Sequence, residues 1–219
     1  ESIEQVIKPD DPHFAKTRLL CLENTQGGKP LSLQYLAGAT TLAREHNLSC
    51  HLDGARLFNA ALAINAAVSD VCASFDTISI CLSKGLGSPM GSVLAGSEVL
   101  IRKARRWRKM LGGGLRQVGV VAAAGLYALE HNVQRLADDH HRAGKLAAHL
   151  NRLECIGKAT NQTNMVFLDT SAATLRDLKT YLLENDVIIS GERLVFHKDI
   201  SDSDLDRLLD VITEFAQNR

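Results

Sequence analysis

Apolar positions fall into short runs alternating with helical repeats. Leu19-Leu20-Cys21-Leu22, after Arg18, is uninterrupted and predicts a strand buried on both faces. Residues 33–46 and 57–68 carry the 3.6-residue repeat of helices. Ser49–Leu52, Thr77–Cys81 and Ser92–Ala95 read as three further strands. A short opening helix stops near Lys8, before Pro9-Asp10-Asp11-Pro12. This alternation predicts an α/β domain with a mostly parallel sheet. Beyond Ser97 come a basic helix to Met110, a glycine triplet at 112–114, an alanine-rich helix over 119–130, and a long helix over 132–150. Strands at Met165–Leu168 and Leu194–Phe196, with helices over 175–185 and 202–215, make the remainder α+β. A domain boundary is expected near Asn132, giving domains 1–131 and 132–219.

Composition limits what such a chain does. Its 219 residues are 45% apolar, enough to build a real core. Basic and acidic residues balance at 25 each, so no global field exists to attract nucleic acid or an anionic membrane. Cys21, Cys50, Cys72, Cys81 and Cys155 show no CxxC and read as reduced, buried thiols of a cytoplasmic protein, without a metal site. His46, His140 and His141 lie on charged helices and are expected to be solvated. No apolar run is long enough to span a bilayer. The opening Glu1-Ser2-Ile3-Glu4 lacks an initiator Met, which reads as a processed leader or a missing upstream segment.

Ligands of open parallel sheets sit beyond the carboxyl ends of the strands. Glu23, Asp53 and Lys84 each fall at such an end. The segments around them, Leu22-Glu23-Asn24-Thr25, His51-Leu52-Asp53-Gly54-Ala55-Arg56 and Ser83-Lys84-Gly85-Leu86-Gly87, resemble the low-specificity L-threonine aldolase family. So do Arg106–Met110, Gly112–Gln117 and Thr163-Asn164-Met165, and the match runs from near Lys8 to the C-terminus. The resemblance implies the aspartate-aminotransferase-like fold (fold type I) of pyridoxal 5'-phosphate (PLP) enzymes. The chain would be the C-terminal part of the large PLP-binding domain plus the small domain. Roughly a hundred residues, about half of a typical domain, would precede Glu1. Active sites would be shared in a homodimer or homotetramer.

Residue by residue, Lys84 matches the lysine that holds PLP, a task needing a nucleophilic amine; otherwise it is a surface lysine at a strand end. Asp53 matches the carboxylate that keeps the ring nitrogen protonated, or it caps the helix starting near Ala55. Arg56 would lie near the ring oxygen and the substrate carboxylate, or be a solvated helix arginine. Arg193 matches the arginine that clamps that carboxylate, where a bidentate fork suits the task. Lys109 and Arg116 flank the glycine triplet near the site. The alternatives there are a solvated basic helix and, third, a nucleic-acid patch. Gln26 stands where many members have histidine beside the substrate β-hydroxyl; an amide orients a hydroxyl but takes up no proton. The family's phosphate loop and stacking aromatic would lie in the preceding segment. The implied activity is an aldehyde-lyase cleaving L-threonine or L-allo-threonine to glycine and an aldehyde. Alternatives are a β-eliminating lyase, an aminotransferase, or a truncated chain without catalysis.

Overall fold

The computed structural model describes residues 2–219, which divide into two compact units. Residues up to Gln26, 30–84 and 88–127 form the first; Gly27–Lys29, Gly85–Gly87 and Ala128–Arg219 form the second.

In the first unit, β1 (Leu19–Glu23), β2 (Ser49–Gly54), β3 (Thr77–Cys81) and β4 (Ser92–Gly96) form one sheet in that order. The first three strands are parallel, and β4 runs antiparallel to β3. Around them lie α1 (Ser2–Val6), α2 (Leu33–Glu45), α3 (Leu57–Ala63), α4 (Val68–Cys72) and α5 (Glu98–Met110). The core joins Leu36 and Ala43 of α2 to Cys50 and Leu52 of β2, Leu57 of α3 and Val71 of α4. Serine hydroxyls at helix entries accept backbone N–H groups that a helix leaves unpaired. Ser32 accepts from Tyr35 at 3.1 Å and Ser97 from Leu100 at 3.4 Å.

α6 (Gly119–His131) leads into the second unit, which holds α7 (Leu136–Leu150), α8 (Ala172–Glu184) and α9 (Asp202–Gln217). They accompany an antiparallel sheet of β5 (Lys158–Asn161), β6 (Met165–Asp169) and β7 (Arg193–Val195). Its core packs Leu146 and Leu150 against Val166, Leu178, Leu182 and Ile212. At the start of α9 the Ser201 hydroxyl and the Asp204 carboxylate satisfy each other's backbone amides, a capping box.

Several expectations change. Among the described residues β1 pairs with a strand on one side only, and Leu19 is 49% exposed where cover on both faces was expected. A run of leucines states apolarity, not how many layers cover it. The helix expected over 57–68 stops at Ala63, where Asn65 adopts the left-handed conformation (φ 51°), and a second helix, α4, starts only at Val68. α7 begins at Leu136, after a turn. β5, polar and only four residues long, gave no strand signal. All five cysteines are free; Cys50 is buried, but Cys21 and Cys155 are exposed. His140 is half-buried, not solvated. Among the described residues, no helix is long and apolar enough to cross a membrane.

Candidate active site

The parallel register puts Glu23, Asp53 and Ser79 side by side across β1, β2 and β3. Asp53 and the residues after Cys81 therefore share the carboxyl end of the sheet. The Asp53 carboxylate is exposed, and its Oδ1 accepts the Ala55 amide at 2.9 Å. Residue 54 must be glycine, because a Cβ there would lie 2.5 Å from the Ser79 carbonyl oxygen. The Asp-Gly-Ala turn is thus shaped by close packing against β3.

Asn24 ties the end of β1 to this turn. Its amide donates to the Asp53 carbonyl at 2.9 Å, and its own carbonyl accepts the Arg56 amide at 3.4 Å. Its side-chain oxygen accepts the Leu31 amide at 3.1 Å, folding back the loop that carries Gln26. The Asn24–Thr25 peptide is cis. Asn24 Nδ2 and Thr25 Oγ1 are buried with no hydrogen-bond partner among the described residues. Buried polar groups are rarely left so, so this corner retains bonding capacity toward a bound group. Gln26 is exposed, three residues beyond Glu23.

Lys84 is exposed three residues beyond β3. Just before it, Leu82 donates to the Gly91 carbonyl at 3.0 Å and accepts from the Ser88 amide at 3.0 Å, closing the loop. Just after it, Gly85–Gly87 joins the second unit. There the Gly85 carbonyl accepts from Arg135 at 3.1 Å and the Leu86 carbonyl from Asn132 at 2.7 Å. Gly87 turns with φ 72°, its α-carbon facing the Lys198 side chain. Gly28 is likewise held in the second unit, its carbonyl accepting from Thr163 Oγ1 at 2.7 Å.

The structure thus brings Asp53, Lys84 and the Gln26 loop to one sheet end. Arg56 is half-buried at the N-cap position of α3, so Asp53 is not that helix's cap; its carboxylate closes the turn instead. Lys109 ends α5 and Arg116 lies in the glycine-rich turn after it; both are exposed, and neither shares a strand with Asp53 or Lys84. Arg193 opens β7 in the second unit, lining a groove of about 550 Å³ with Ser190, His197, Asp199 and Arg207. That groove contains neither Asp53 nor Lys84. The sheet end is the better candidate site, because it carries both an exposed amine and an exposed carboxylate while the groove is defined by shape alone. Asn132, Arg135 and Asp139 escaped the sequence reading. Their one signal was an Arg–Asp pair spaced i,i+4 at the start of α7.

A sheet of three parallel strands and one antiparallel strand, with an α+β unit downstream, is the fold shared with the aspartate-aminotransferase-like class, fold type I. The comparisons narrow it: residues 1–173 match the model of the beta-eliminating lyase family, and the chain belongs to that family. It is 45% identical over 204 residues to the low specificity L-threonine aldolase of Escherichia coli (strain K12), covering 92% of this chain and 61% of that protein. Identity to low-specificity L-threonine aldolase 1 of Arabidopsis thaliana is 42% over 222 residues, covering 94% and 62%. The chain therefore spans about three-fifths of the curated relatives it matches. Among solved structures, the Leishmania major threonine aldolase superposes with a TM-score of 0.82 at 19% identity, covering 98% of this chain and 66% of that one. A putative L-allo-threonine aldolase of Listeria monocytogenes gives 0.77 at 23%, covering 97% and 64%. At these identities the structures speak for the fold.

Proposed function

We propose that the protein carrying this chain is a PLP-dependent aldehyde-lyase. It cleaves L-threonine, L-allo-threonine and related β-hydroxy-α-amino acids to glycine and an aldehyde. The observation that carries this reading is Asp53 and the Lys84 loop at the carboxyl ends of adjacent parallel strands. The residues fit PLP: an exposed amine to hold the aldehyde, an exposed carboxylate to face a ring nitrogen, and polar atoms with unused bonding beside them. When bound, the cofactor supplies an electron sink for the pair released as the Cα–Cβ bond breaks. Lys84 would provide the amine that holds the cofactor. The Asp53 carboxylate would hold a proton at the ring nitrogen. Arg56 would bind the substrate carboxylate and so orient the bond to be broken; Arg193 keeps the carboxylate-clamping assignment only from the resemblance, since its groove contains neither Asp53 nor Lys84. Lys109 and Arg116 would add positive charge near the site, as the resemblance implies. Gln26 orients the β-hydroxyl by hydrogen bonding and leaves removal of its proton to another group.

The enzyme is further read as a cytoplasmic homodimer or homotetramer. Leu111 and Val120 of the first unit are 81% and 82% exposed, apolar surface of the kind subunit contacts cover. The test is to reduce the intact natural protein with borohydride after PLP is added. The label should map to Lys84, and L-threonine should yield glycine and acetaldehyde. Label on another lysine sinks the assignment. A second reading, β-elimination, is favoured by the family match itself; a keto acid product in place of glycine would establish it.

A further inference from the structure

Arg135 stands in the turn before α7 and donates three hydrogen bonds. Nη1 bonds Asp139 Oδ1 at 2.9 Å and Nη2 bonds Asp139 Oδ2 at 2.8 Å, the guanidinium–carboxylate fork that fixes the plane of both groups. Nη2 also bonds the Gly85 carbonyl at 3.1 Å. The Asp139 side chain is fully buried, with Arg142 Nη1 3.7 Å from its Oδ1. Stability alone is a weak reason for such a pair, because apolar residues of similar volume often serve as well. It leaves the third bond unexplained: the fork also reaches the carbonyl of Gly85, the residue that follows Lys84. Asn132 adds a bond from Nδ2 to the Leu86 carbonyl at 2.7 Å. Two consecutive carbonyls are thus held by two side chains of one turn.

We infer that Asn132 and Arg135, the latter oriented by Asp139, are positioning residues for Lys84. They fix the backbone of the two residues that follow the lysine, and so limit the directions in which its side chain leaves the chain. The inference rests on the reading of Lys84 as the cofactor-holding lysine. A long flexible side chain reaches its target reproducibly only from a fixed backbone, and small misplacements of reacting groups cost large factors in rate.

The test uses the intact natural protein. Arg135→Lys keeps a cation beside Asp139 but lacks the fork needed to serve Asp139 and Gly85 together. Asn132→Ala removes only the Leu86 bond. Arg142→Lys is the control: it touches the same carboxylate but neither carbonyl. Two quantities are read. One is amide hydrogen exchange across Ser83–Gly87 without cofactor. The other is the rate at which added PLP becomes fixed to Lys84 by borohydride. Arg135→Lys and Asn132→Ala should raise the exchange and slow the fixation by about tenfold or more, while Arg142→Lys matches the unaltered protein in both. Should Arg135→Lys fail to fold, Asn132→Ala decides alone. Unchanged exchange and fixation in folded Asn132→Ala overturns the inference, as do equal changes in Arg142→Lys. Absence of label on Lys84 in the unaltered protein overturns the cofactor reading, and this inference with it.

Discussion

Replacing Asp53 by asparagine separates its two tasks. In the structure one carboxylate oxygen accepts the Ala55 amide, and the backbone carbonyl accepts the Asn24 amide. Asparagine is nearly isosteric and keeps an oxygen for Ala55, so the turn between β2 and α3 survives. Stability should move by no more than about 0.5 kcal/mol, as for other surface substitutions. What vanishes is the negative charge. If that charge holds a proton on the cofactor ring, turnover should fall by roughly three to four powers of ten, about 4–5 kcal/mol of barrier. Asp53→Ala removes the Ala55 bond as well and should add a stability loss of about 0.5–1.5 kcal/mol. The assay pairs urea midpoints with glycine release from L-threonine for both variants. A stable Asp53→Asn protein with near-normal turnover would refute the reasoning and leave Asp53 as a turn residue only.

Lys84→Ala should lose the visible absorbance of bound PLP and turnover together; absorbance surviving in this variant would put the cofactor on another lysine. Gln26→His should raise aldol cleavage through kcat more than KM, because a base acts as the bond breaks. An unchanged kcat would assign the proton to a different group. Burial pushes the His140 imidazole below its ordinary range, with the Asp139 charge pulling the other way. The unfolded chain therefore takes up a proton first, and stability should be lost as pH falls from about 6.5 through the lowered folded value. Urea midpoints from about pH 7.5 to about pH 5 should show that slope, and His140→Gln should flatten it; an equal slope in the variant would locate the titration elsewhere.

What the sequence made legible depended on whether the signal was local. The strand ends carrying Asp53 and Lys84 were readable, because each polar residue follows an apolar run and the parallel arrangement then places both at one end. The exposure of β1 was not, because burial depends on what covers a strand from elsewhere. The break between α3 and α4 turns on the backbone of Asn65, a residue that tolerates helix and left-handed turn alike. The anchors Asn132 and Arg135 lie 46 and 50 residues from the carbonyls they hold. No periodicity spans such a gap. Gly54 shows the same division: the motif places a glycine after Asp53, but the reason is a carbonyl oxygen of the neighbouring strand 2.5 Å from where a Cβ would stand. It follows that Gly54→Ala should disturb the Asp53 turn by pushing β2 off β3, without touching any residue that meets a ligand. A short motif around a strand end is thus partly a record of chemistry and partly a record of packing, and only the packing half needs the rest of the sheet to be understood.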